Sequence, residues 1–221
     1  MNERLYCDPE KETGYIAKEA KKLFPEINHR FLFGHVIAEV IEEIGDKIDF
    51  VILDTVHFLP GEVLDFPVIL PFLSENATVV LHDVAFHQYY DKNGIACQTL
   101  FDATTGIKIL PMGMDNTRPT KMPNIGAIKV NEDTKKYIES VFHAMTLPWV
   151  YMPNKDEIKA YRQIYSKYYG EDKVNIFDMA VELNRNLLNM QNSPVNKGGL
   201  MQKYNFKTRI IYAARIILKG Y

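Results

Sequence analysis

Two short apolar runs in this chain each end in a carboxylate with an imidazole close by. The first closes on Asp54 with His57 one turn further on, and the second closes on His82 and Asp83. Two carboxylates and two imidazoles brought together would coordinate a divalent cation, the carboxylates favouring Mg²⁺ or Mn²⁺ and the histidines admitting a heavier metal. Alternatively, His57 or His82 would take a proton from a substrate hydroxyl as general base, because an imidazole titrates near neutral pH. A structural use is the alternative for any one of them taken alone, since an Asp after a strand commonly caps the following helix, and it is the pairing at two strand ends that favours a site. His87 stands where it would join from the next loop, whereas His29, His35 and His143 have no such company and read as surface or packing residues.

What would bring the two pairs together is the segment from Ile48 to Asp83. Its runs IDFVILD and ATVVLHDV are short, β-branched and nearly continuous in apolar content, the pattern of parallel strands covered by helices on both faces. Between them Pro60 opens a helical stretch, where its missing donor costs nothing. Parallel strands place their carboxyl ends side by side, at the edge where open α/β sheets hold their ligands.

Upstream, 13–23 has helical spacing stopped by Pro25, Arg30 to Phe33 (RFLF) suits a brief strand, and Val36 to Ile44 is an amphipathic helix closed by Gly45. Downstream, Asn93 to Thr104 predicts a helix, followed by strands at Lys108 to Leu110 and Asn124 to Val130. Two successive strands without a helix between them imply an antiparallel edge to the sheet. The long loop 111–123 reads either as a functional cover or as plain connection. From Asn131 the pattern turns helical. The expected organisation is therefore an α/β domain over 1–130, a helical extension over 131–191, and a linker with a basic amphipathic segment over 192–221. The apolar stripe of that last segment, opposite Lys207, Arg209, Arg215 and Lys219, would suit a peripheral membrane contact through 203–221, docking on its own domain, or contact with a second subunit.

The 221 residues are 47% hydrophobic and carry a formal charge of −2, enough to bury one substantial core and too little positive charge for general nucleic-acid binding. Cys7 and Cys97 form neither a disulfide framework nor a metal motif, which suits a reducing cytoplasm. The first residues show no secretory signal, and no apolar run reaches the roughly 20 residues of a membrane span. A soluble, cytoplasmic protein is the expectation, with the inner face of the membrane as the site of any peripheral contact.

The segment ILDTVHFLPGEVLDFPVILPFLSENATVVLHD resembles the fourth strand, following helix and fifth strand of class I S-adenosylmethionine-dependent methyltransferases, particularly bacterial members that O-methylate surface polysaccharides or natural products. The likeness spans about residues 3–130. It implies a Rossmann-like sheet, S-adenosylmethionine as methyl donor, a sugar or related hydroxyl as acceptor, Asp54 and Asp83 as metal or substrate residues, and His57 and His82 in support. That family's sheet order is 3-2-1-4-5-7-6, with a glycine-rich turn after the first strand to receive the cofactor. No glycine-rich turn follows any apolar run here, so the chain resembles a member lacking its amino-terminal third. The implied consequence is either an inactive enzyme or a non-catalytic scaffold in polysaccharide assembly. In the absence of the intervening strands, RFLF is expected to pair directly with FVIL, or a second chain to cover the gap.

Overall fold

The computed structural model describes residues 4–5, 8–12, 15–26, 28, 30–111 and 123–192. Cys7, His29, most of the loop 111–123 and the basic segment 203–221 lie outside the described residues. A small antiparallel pair, β1 (Arg4–Leu5) and β2 (Asp8–Glu12), precedes helix α1 (Tyr15–Leu23). The main sheet follows helix α2 (Ile37–Ile44), which ends at Gly45 with a φ of 94°, a left-handed conformation that glycine adopts at little cost.

Four strands form that sheet: β3 (Ile48–Leu53), β4 (Leu73–His82), β5 (Ile107–Ile109) and β6 (Ile125–Lys129). Their spatial order is β3-β4-β6-β5. The β3–β4 pair is parallel, and β6 runs antiparallel to both β4 and β5. The molecule is thus mixed α/β, with the expected antiparallel edge.

Between β3 and β4 lies α3 (Gly61–Ile69), all of whose residues are buried, continued by a 3₁₀ turn over Leu70–Phe72. A helix apolar on every side must be enclosed on every side. Here α2, α5 (Ala96–Ala103), α7 (Glu139–Ala144) and α8 (Lys155–Tyr168) surround it. The remaining helices are α4 (Phe86–Tyr89), α6 (Glu132–Lys136) and α9 (Glu171–Asn192). One continuous core runs from Ala38 to Val181, joining the sheet to the carboxyl-terminal helices.

Three tyrosines of and just beyond α8 hydrogen-bond to α3, one of them in place of a donor that a proline lacks. Pro71 has no N–H to offer the carbonyl of Pro67, and Tyr169 Oη donates to that oxygen instead, at 2.6 Å. Tyr165 Oη donates to the Leu64 carbonyl at 2.7 Å, and Tyr161 Oη to the buried Asp65 at 2.6 Å. Burial pushes the Asp65 carboxyl up to about 7, against the opposing pull of the Tyr161 hydrogen bond.

Two expectations fail at the front of the sheet. Residues 30–33 are not a strand, and among the described residues β3 pairs with β4 alone. Arg30 instead pairs with Glu43 at 2.8 Å, at the end of α2, and the Phe31 and Phe33 rings stack on each other. Nor is β3 covered on both faces. Its register places Val51 beside Val79 and Ile128, all on the face turned to the core, whereas Phe50 and Ile52 point the other way and are 57% and 60% exposed. Ile107, Ile109 and Ile125 continue that exposed surface across the sheet. Continuous apolar content signals a strand but does not say whether both of its faces are filled.

Candidate metal centre at the ends of β3 and β4

The alternation of β3 and β4 carries Asp54 and His82 to the carboxyl edge on the exposed side of the sheet. Asp83 and His57 reach the same place by different means. Each sits in the left-handed region, with φ of 60° and 61°, which non-glycine residues occupy when surrounding contacts hold them there. At His57 those contacts are explicit: its N–H donates to Glu62 Oε1 at 3.0 Å, and its carbonyl accepts from Ala96 N at 3.1 Å. The ring of Phe86 packs against its imidazole, 4.9 Å between centroids.

Four side-chain atoms converge. His57 Nε2 lies 3.5 Å from Asp54 Oδ1 and 3.3 Å from Asp83 Oδ2, and His82 Nδ1 lies 3.2 Å from each of the same two oxygens. All four residues offer ligand atoms within 4.8 Å of one another. Donors about 2.0–2.2 Å from a tetrahedral Zn²⁺ stand roughly 3.3–3.6 Å apart, and the four N–O separations of this N₂O₂ set are close to that range. Asp83 is 7% exposed and Asp54 lies in the open, which gives the group one buried wall and one side facing solvent. Among the described residues, every ion pair made by Asp54 or Asp83 is to one of these two imidazoles.

The capping alternative for Asp54 finds no support, because α3 begins only at Gly61 and no side chain caps it. Asp83 is held by an uncharged partner: Asn124 Nδ2 donates to its Oδ1, while Asn124 Oδ1 accepts from Ala85 N. That leaves Oδ2 to face the imidazoles. His87 is in α4 and stands outside the convergent group. His35, just before α2, and His143, in α7, pair with Glu39 and Glu139 at exposed positions.

No family model, curated protein or solved structure matches the chain.

Sequence reasoning missed two residues of this centre. Glu62, fully buried in the first turn of α3, accepts from Thr55 N at 3.3 Å as well as from His57 N, which ties the 54–57 turn to the helix behind it. An acid amid an apolar helix sequence, five residues after His57, was the available signal. Asn124 carried none, because its role depends on β6 inserting between β4 and β5. Cys97 is buried near Glu62, and burial, reinforced by Glu62, pushes its thiol far up, which keeps it protonated.

Proposed function

We propose that this chain is a divalent-cation-binding α/β protein of methyltransferase-like architecture, whose cation takes a hydroxyl of a sugar or related small molecule. The observation that carries the reading is the convergence of His57 Nε2, His82 Nδ1, Asp54 Oδ1 and Asp83 Oδ2 at 3.2–3.5 Å. Architecture adds support, since β3-β4-β6-β5 with an antiparallel third member is the arrangement 4-5-7-6 that the sequence resemblance implies. Asp54, Asp83, His57 and His82 would hold the ion. With two imidazoles in the set, Mn²⁺, Fe²⁺, Co²⁺ or Zn²⁺ suits it better than Mg²⁺. A cation so placed supplies Lewis-acid polarisation of a hydroxyl oxygen, and the exposed side at Asp54 and His82 is where an acceptor would approach.

The described residues hold no counterpart of the glycine-rich turn through which the resembled family receives S-adenosylmethionine. In the 4-5-7-6 correspondence that turn would follow a strand other than β3 and β4, and the residues that end these two strands are the proposed cation ligands.

Titration of the full chain with Co²⁺, followed by visible absorption, tests the reading. Stoichiometric binding that is lost in Asp54→Asn with Asp83→Asn supports it, and no binding by the wild-type chain overturns it. Calorimetric titration with S-adenosylmethionine is the companion measurement, and tight binding there would mean that groups other than a glycine-rich turn hold the donor.

The exposed apolar face of the sheet favours a second reading, a non-catalytic interaction protein in a surface-polysaccharide assembly system. Vesicle flotation of the full chain against one ended at Asn192 tests the contribution of 203–221. Equal behaviour of the two would exclude a contact driven by that segment.

A further inference from the structure

Glu62 is a carboxylate with no access to solvent, set directly behind one member of the proposed centre. Its Oε1 lies 3.3 Å from His57 Nδ1. Among the described residues neither that nitrogen nor Glu62 Oε2 has a hydrogen-bond partner, although both atoms are buried. A buried imidazole nitrogen without a partner is costly, and the nearest remedy is the carboxylate beside it. The other face of the ring is already committed, with Nε2 turned toward Asp54 and Asp83.

An uncharged imidazole carries one proton, and which nitrogen holds it follows from what the other side of the ring meets. Glu62 offers His57 an acceptor on the Nδ1 side. We propose that Glu62 is the positioning residue of the centre: it keeps the His57 proton on Nδ1, so that the Nε2 lone pair points forward as a metal ligand. This rests on the cation site proposed above. It also withdraws His57 from general-base chemistry, because a nitrogen bound to the cation has no lone pair left for a substrate proton. The backbone supports the same arrangement. Glu62 Oε1 also receives the His57 and Thr55 N–H groups, so one carboxylate fixes both the ring and the left-handed turn that carries it. Outer partners of this kind typically alter metal affinity 10–100-fold.

The test is Co²⁺ titration of the full chain in five forms: wild type, Glu62→Gln, Glu62→Met, His57→Ala, and Glu62→Met with His57→Ala. The expected result is a loss of about 10–100-fold for Glu62→Met, with most of the affinity kept by Glu62→Gln, which retains an acceptor oxygen. In the His57→Ala background, Glu62→Met should add little, because the partner through which it acts is gone. An equal loss in both backgrounds would mean that Glu62 merely supports the turn, and overturns the proposal. So would unchanged affinity in Glu62→Met. No binding by the wild-type chain overturns the cation site and this role together. A sulfur-to-cobalt charge-transfer band that vanishes in Cys97→Ser would seat the cation behind His57, among Nδ1, Glu62 and Cys97, and likewise overturns it. Should Glu62→Met fail to fold, the ¹⁵N-histidine spectrum of the metal-free wild type decides: a proton held on Nδ1 supports the role, and an imidazole protonated on Nε2 alone excludes it.

Discussion

Asn124 at the mouth of β6 donates its side-chain amide to Asp83 Oδ1, although the two residues are 41 positions apart in the chain. The bond divides the carboxylate, with one oxygen bound to the neighbouring strand and the other facing His57 and His82. Antiparallel insertion of β6 beside β4 makes the contact, since the register pairs His82 with Ile125.

Removing that donor should weaken the centre without unfolding the sheet. Asn124→Ala is expected to lower Co²⁺ affinity about 10–100-fold, in the range for a lost outer partner. Asn124→Asp should do more harm, because it places a like charge against Asp83 and removes the donor. Titration of the three proteins, with circular dichroism as a check on folding, gives the ordering. Equal affinity for wild type and Asn124→Ala would show that Asp83 needs no orientation from β6.

Gly61 opens α3 behind the Asp54–His57 turn, and a Cβ there would lie 2.8 Å from Val56 Cγ2. In a helix, alanine is ordinarily favoured over glycine by about 1 kcal/mol. Here the contact should reverse the sign. Gly61→Ala is expected to destabilise by about 1–3 kcal/mol, the usual range for overpacking, and to weaken cation binding by shifting the turn. Gly61→Ala combined with Val56→Ala removes the clashing methyl and should recover both. If urea unfolding finds the single variant as stable as wild type, the turn is less tightly packed on α3 than the structure shows.

Asp65 makes the folded protein lose stability as pH rises from acid to neutral. Its carboxyl holds its proton up to about pH 7 in the folded chain, against an ordinary value of 3.8. Between those limits the native state binds more protons than the unfolded one, so stability is greatest below the lower value and falls as pH rises toward the upper. The displacement corresponds to an upper bound of about 4 kcal/mol. Asp65→Asn keeps an acceptor for Tyr161 and abolishes the titration. The difference in unfolding free energy between wild type and this variant should therefore shift in favour of the variant from pH 4.5 to pH 7.5. A constant difference across that range would exclude Asp65 as the source.

The two core strands, the helix between them and the convergence of Asp54, His57, His82 and Asp83 were legible because each depends on local pattern. Apolar runs announce strands, and parallel neighbours bring their ends together whatever else the chain does. RFLF was misread because strand geometry needs a partner edge, and Arg30 finds Glu43 on α2 instead. The tyrosines that bond to α3 were invisible for a related reason. Tyr161, Tyr165 and Tyr169 fall at helical spacing, but their partners lie some hundred residues earlier and owe their availability partly to Pro71. Asn124 acts across a tertiary contact that no spacing encodes, whereas Glu62 acts locally, five residues after His57, and was legible as an acid within an apolar helix.

The two faces of β3 and β4 offer a sharp comparison, because adjacent residues in the same strand point in opposite directions. Leu81 is fully buried in the core, and truncating it to Ala should cost about 2–5 kcal/mol as a cavity there. Ile52 is 60% exposed and has little packing to lose. Ile52→Thr, which keeps the β-branched shape, should fall within about 0.5 kcal/mol of wild type, as surface changes generally do. Urea unfolding at two protein concentrations measures both. A cost for Ile52→Thr comparable to that of Leu81→Ala would mean that the exposed face is covered in solution. If that cost grew with protein concentration, the cover would be a second copy of the chain, and Phe50, Ile107 and Ile125 on the same face should then respond alike.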